Sequence, residues 1–87
     1  MKKTTAIFAH LLSQGFDADT AFSISFRHEG MYLLCYNNAY NLRFFNDFFP
    51  GKLDTLTYCT STKSYTVQFE YTLNEESCMI YLSFYFI

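Results

Sequence analysis

The chain has 87 residues, of which 51% are hydrophobic and 22% aromatic, with 11 Phe, 8 Tyr and no Trp. That length accommodates a single domain over residues 1–87, and the apolar content is enough for a core and argues against disorder. The formal charge of −2 comes from six Lys/Arg and eight Asp/Glu scattered along the chain, so neither the basic stripe of a nucleic-acid binder nor the dense carboxylates of a DNA mimic is present.

The first residues, Met1 to Leu12, place Lys2 and Lys3 before an apolar stretch. That stretch is only about seven residues long, contains His10 and precedes no clean small-residue cleavage site, so a secretory signal is not expected. Ile7, Phe8, Leu11 and Leu12 then recur at helical spacing and predict a helix over residues 4–14, with Thr4 as its cap. Gly15 sits where a left-handed residue ends a helix, and Phe16 is placed to fold back on Leu11. Residues 18–28 carry two patterns. Phe22, Ile24 and Phe26 alternate as in a strand, whereas Ala18, Ala21, Phe22 and Phe26 share a helical face behind a candidate cap at Asp17, with Asp19 in the first turn. Arg27 and His28 suit a last turn stopped by Gly30, and the helical reading is preferred.

The run Leu11-Leu12-Ser13-Gln14-Gly15-Phe16, with Ala21 beyond it, resembles the first half of a ubiquitin-associated domain, in which a Gly-Phe loop joins two helices. The resemblance implies a helix–loop–helix shape here. It implies no ubiquitin binding, because strand-like sequence stands where that family's third helix would be.

From Met31 onward the pattern is β. Strands are predicted over 31–36 and 40–45, joined at Asn37-Asn38, residues that tolerate tight turns. A two-residue loop pairs Cys35 with Tyr40, Leu33 with Leu42 and Met31 with Phe44, all on one face. Asn46-Asp47 and Pro50-Gly51 punctuate a Phe-rich connection to a third strand over 55–60. Over 64–73, Tyr65, Val67, Phe69, Tyr71 and Leu73 alternate without interruption with polar residues. A turn at Glu75-Glu76 leads to a last strand over 78–87, with Leu73 opposite Cys78, Tyr71 opposite Ile80, Phe69 opposite Leu82 and Val67 opposite Phe84. That last run is half the length of a membrane-spanning helix. The expected fold is α+β: an N-terminal helical hairpin packed on one face of a five-stranded antiparallel sheet.

Two short helices cannot cover both sides of such a sheet. Its other face is expected to be wet and rich in Thr, with Thr55, Thr57, Cys59, Thr66, Gln68, Glu70, Thr72, Met79, Tyr81, Ser83 and Tyr85, joined by Tyr32, Leu34, Tyr36, Asn41 and Arg43. Tyr and Met are enriched at the cores of protein interfaces. The candidate partner-binding residues are therefore Tyr32, Leu34, Tyr36, Arg43, Met79, Tyr81 and Tyr85.

No catalytic, cofactor or metal site is expected. Cys35, Cys59 and Cys78 lack the close ligand pairs of structural zinc sites, and their odd number suits thiols in a reducing cytosol. A nucleophilic pair of Cys35 or Cys59 with His28 has no local support. Asp17 with Asp19 reads as a helix start and Glu75 with Glu76 as a charged turn. The three glycines, Gly15, Gly30 and Gly51, form no phosphate loop. These features favour a non-enzymatic protein-binding module in the cytosol that inhibits or modulates a larger macromolecule. In size and style it is comparable with phage- or plasmid-encoded inhibitors of bacterial defence such as anti-CRISPR proteins. Nucleic acid and membrane are not expected partners. An obligate homodimer with the aromatic face internal, or a small enzyme or ligand-binding domain, are the alternatives.

Overall fold

A computed structural model of the chain describes residues 3–16, 21–27 and 30–86. Helix α1 spans Lys3–Ser13, strand β1 Ala21–Arg27, β2 Gly30–Tyr36, helix α2 Ala39–Phe48, β3 Thr57–Cys59, β4 Ser64–Leu73 and β5 Glu76–Tyr85, with a short 3₁₀ helix at Leu53–Thr55 before β3. The five strands form one sheet in the order β1-β2-β5-β4-β3. The class is α+β, as the sequence indicates, but the sheet is mixed: β2 and β5 run parallel, and the other pairs are antiparallel.

The end of α1 follows from its sequence. Gly15 has φ 102°, Gly15 N–H donates to the Leu12 carbonyl at 3.1 Å and Phe16 N–H to the Leu11 carbonyl at 3.3 Å. These are the two bonds of a Schellman motif, and they turn Phe16 into the core beside Leu11. Thr4 lies inside the helix rather than at its cap, since α1 already includes Lys3.

Two expectations are overturned together. Residues 21–27 form β1, so the expected helix over 18–28 and the helical hairpin with it are absent; Asp17, Asp19 and His28 lie outside the described residues. Residues 39–48, expected to contain a strand over 40–45, form α2 instead. The Asn37-Asn38 pair starts a helix here instead of closing a hairpin. Asn38 caps α2, its Oδ1 accepting from Asn41 N–H at 2.8 Å. Helical spacing then places Asn41, Phe45 and Phe49 on the buried side. Asn41 Nδ2 donates to the Tyr36 carbonyl at 2.9 Å, which fixes the start of α2 to the end of β2.

In place of the expected hairpin with residues 40–45, β2 pairs on one side with β1, from Ser23↔Leu34 to Arg27↔Gly30. On its other side it meets β5, with Met31 beside Ile80, Leu33 beside Leu82 and Cys35 beside Phe84. Asn37 N–H extends that ladder to the Tyr85 carbonyl at 2.8 Å. The β4–β5 hairpin forms with a different register from that expected: Leu73 pairs with Glu76, Tyr71 with Cys78, Phe69 with Ile80 and Val67 with Leu82. The turn is Asn74-Glu75, both left-handed at φ 51° and 68°, which shortens the loop and moves β5 by two positions.

One core results. Met31, Leu33, Cys35, Phe69, Cys78, Ile80, Leu82 and Phe84 line one side of the sheet, and Ile7, Leu11, Phe16, Phe45 and Phe49 close it from above. Phe45 stands at its centre, with ring centroids 5.4 Å from Phe16 and 5.9 Å from Phe84. Phe49 lies 4.8 Å from Phe69 edge-on and 5.1 Å from Tyr71. Both helices therefore sit on the same side of the sheet. No described helix is long and apolar enough to cross a membrane.

Candidate functional site

No described helix covers the opposite side of the sheet, and the register shows how its residues line up. Glu70, Met79 and Gly30 form one cross-strand row; Gln68, Tyr81 and Tyr32 the next; then Thr57, Thr66, Ser83 and Leu34; and finally Cys59, Ser64, Tyr85 and Tyr36. The face is thus divided. Its β2–β5 half carries phenol rings, Leu34 and Met79, while its β3–β4 half carries hydroxyls, an amide and one carboxylate.

Six of the seven residues expected to bind a partner are brought together here: Tyr32, Leu34, Tyr36, Met79, Tyr81 and Tyr85. Arg43 is not among them. It lies exposed on α2, the helix that covers the core, and so belongs to the other side of the molecule. Asn41, expected on this face, is buried at the start of the same helix.

Tyr32 and Tyr81 are stacked, with centroids 4.2 Å apart and planes 5° from parallel. Gly30 makes the stack possible. A Cβ there would stand 2.8 Å from Tyr81 Cε2 and 3.3 Å from the Met79 carbonyl oxygen, so the Tyr81 ring occupies space that any other residue would need. Desolvation first, then the Tyr32 phenol through its field and a hydrogen bond, hold the Tyr81 hydroxyl above the ordinary tyrosine range. Beside the stack runs a cleft of about 440 Å³ lined by Tyr32, Thr55, Thr57, Thr66, Gln68, Tyr81 and Ser83. Its side chains can stack and hydrogen-bond.

Cys59 borders the same face as the last residue of β3, paired with Ser64 of β4. Its Sγ lies 3.2 Å from Ser61 Oγ. Hydrogen bonds from the Ser61 and Thr62 side chains and from the Thr62 backbone favour the thiolate and bring the thiol down to about 7. Cys35 behaves oppositely, since burial pushes it up to about 12. His10 packs against Phe48 at 5.6 Å, on the helical side and away from Cys59. Among the described residues no group of three or more His, Cys, Asp or Glu comes together.

A second aromatic patch lies at the β3–β4 end of the sheet. Tyr58, Tyr65 and Phe86 touch one another at 5.1–6.2 Å, and all three are exposed. They lie on the helical side, beyond the reach of the helices. The alternation of β4 assigns Tyr65 to the core-facing set correctly, but no sequence signal shows that the helical cover ends before it. No protein-family model matches the chain, and neither a curated protein nor a solved structure shows significant similarity to it.

Proposed function

We propose that this chain is a non-enzymatic protein-binding module that docks a larger partner on the open face of its sheet. The observation that carries this reading is the set of two cross-strand tyrosine pairs, Tyr32 stacked on Tyr81 and Tyr36 opposite Tyr85 with Leu34 and Ser83 between them, held on the side of the sheet opposite both helices. Tyrosine offers a large amphipathic contact area for the loss of few rotamers, and rings already locked by stacking lose still fewer. The polar half of the face supplies hydroxyl and amide partners for the rim, and its lining favours recognition over reaction. By occupying a partner's surface such a module would modulate that partner's activity, and in size and style it compares with inhibitors of bacterial defence.

The test is a double substitution, Tyr36→Ser with Tyr85→Ser, in which the Tyr32–Tyr81 stack and the core are untouched. Unchanged thermal unfolding and unchanged mass by light scattering, with loss of a partner captured by the parent protein, support the proposal. A parent dimer that the double substitution dissociates would assign the face to self-association instead. Capture that is unaffected by the substitution would remove the face from function.

A further inference from the structure

Strand β4 is ten residues long, yet its neighbour β3 pairs only with Ser64, Tyr65 and Thr66. Among the described residues no strand pairs with the remainder, from Val67 to Leu73, on that side, so it is an edge. The direction of its backbone groups follows from one bond beyond the strand ends. Phe86 N–H donates to the Lys63 carbonyl at 3.4 Å, so Lys63 and Phe86 form a hydrogen-bonded pair in the β4–β5 register. Such pairs alternate along an antiparallel ladder, so the odd-numbered residues of β4 bond to β5. The even-numbered ones point their N–H and C=O groups away. Ser64 and Thr66 spend theirs on β3. Gln68, Glu70 and Thr72 face outward, and among the described residues no turn, loop or cap bond reaches them.

The side chains along this edge define what could pair with it. Tyr71, beside Phe48, and Leu73, packed against the core, are both half-buried and form an apolar ledge on the helical side. Glu70 is exposed on the opposite side, and Glu75 and Glu76 are exposed at the hairpin end. A second copy of the chain is a poor occupant. Antiparallel self-pairing that uses the outward groups of Glu70 sets the two Glu70 side chains directly or diagonally opposite, where like charges repel.

We propose that the β4 edge is a strand-addition site for an extended segment of another protein that alternates apolar with Lys or Arg residues. The added strand would take the backbone bonds of Glu70 and Thr72, rest its apolar side chains on Tyr71 and Leu73, and set its cations against Glu70. This inference concerns the edge of the sheet and does not depend on the tyrosine face.

The probe is a capped peptide of alternating Lys and Val, titrated into the isotopically labelled full chain and followed by amide NMR shifts. Binding should perturb Gln68–Leu73 and weaken about tenfold or more when alternate peptide nitrogens are methylated, since each lost backbone bond is worth a large part of a decade. Thr72→Pro should weaken it similarly while keeping the β4–β5 ladder, because the Thr72 N–H points outward. Glu70→Lys should reverse the preference towards a Glu/Val peptide. Should Thr72→Pro fail to fold, the methylated peptide still decides. No binding at millimolar peptide, or equal binding after methylation, overturns the proposal, and so does a concentration-dependent dimer that Thr72→Pro abolishes. Tyr36→Ser with Tyr85→Ser should leave peptide binding unchanged, so the edge and the face can fail separately.

Discussion

Replacing Phe45 by alanine tests the placement of α2 more sharply than any other single change. The Phe45 ring is wholly buried and meets the rings of Phe16, Phe44, Phe49 and Phe84 at 5.2–6.1 Å. Truncating such a ring removes its transfer free energy and leaves a cavity that rigid neighbours fill only in part, at a cost of about 3–5 kcal/mol. A chain of 87 residues has a stability of about 4–13 kcal/mol at 0.05–0.15 kcal/mol per residue. The substitution therefore removes a large share of the total. In urea unfolding followed by far-ultraviolet circular dichroism, with a slope near 1 kcal/mol/M for so small a domain, the midpoint should fall by about 3 M or the protein should be unfolded without denaturant. Arg43→Ala, on the exposed side of the same helix, should change stability by no more than about 0.5 kcal/mol. Were residues 40–45 a strand paired with β2, Phe44 would face the core and Phe45 would not. A Phe45→Ala protein within about 0.5 kcal/mol of the parent would refute the helix and the packing built on it.

The remaining predictions concern the open face and its border. Cys59 should be the thiol alkylated fastest by iodoacetamide in the folded protein, with a rate that rises through a midpoint near pH 7, while Cys35 stays protected until unfolding. Ser61→Ala should move that midpoint upward, and a midpoint unchanged by the substitution would contradict the hydrogen-bond account. Gly30→Ala should force the Tyr81 ring off Tyr32 and destabilise the fold by about 1–3 kcal/mol, since the added Cβ would stand 2.8 Å from that ring with the Met79 carbonyl oxygen 3.3 Å away on another side. It should be read by thermal unfolding together with the ring-current shifts of the two tyrosines, and an intact stack in that variant would show the contact to be unimportant.

How far the sequence discloses this structure varies by element, for identifiable reasons. Strand β4 is legible to the residue because ten positions alternate without a break and nothing competes with the pattern. The end of α1 is legible because Gly15 and Phe16 carry a local, directional signal. The β4–β5 register is not, because a slip of two preserves which side chains share a face; only the left-handed conformations of Asn74 and Glu75 decide it. The exchange of helix and strand has a longer-range cause. Both 21–27 and 39–48 contain both periodicities, and the choice depends on β2 pairing in parallel with β5, far along the chain. The aromatic face survives this exchange because the helix lost from 18–28 and the helix gained at 39–48 would cover the same side. Arg43 and Asn41 leave the open face because they belong to α2 and not to a strand, and the exposure of Tyr65 depends on where helical cover stops, which no local pattern records.

The most direct measurement of the central claim is site-specific photo-cross-linking in cells of the organism that encodes the chain, with a benzophenone side chain at Tyr85 and, as control, at Arg43. Both positions fold in the same domain but project from opposite sides of the sheet. A distinct protein joined through position 85 and absent at position 43 is the predicted result. Adducts of the chain with itself at 85, or the same adducts at both positions, would contradict it.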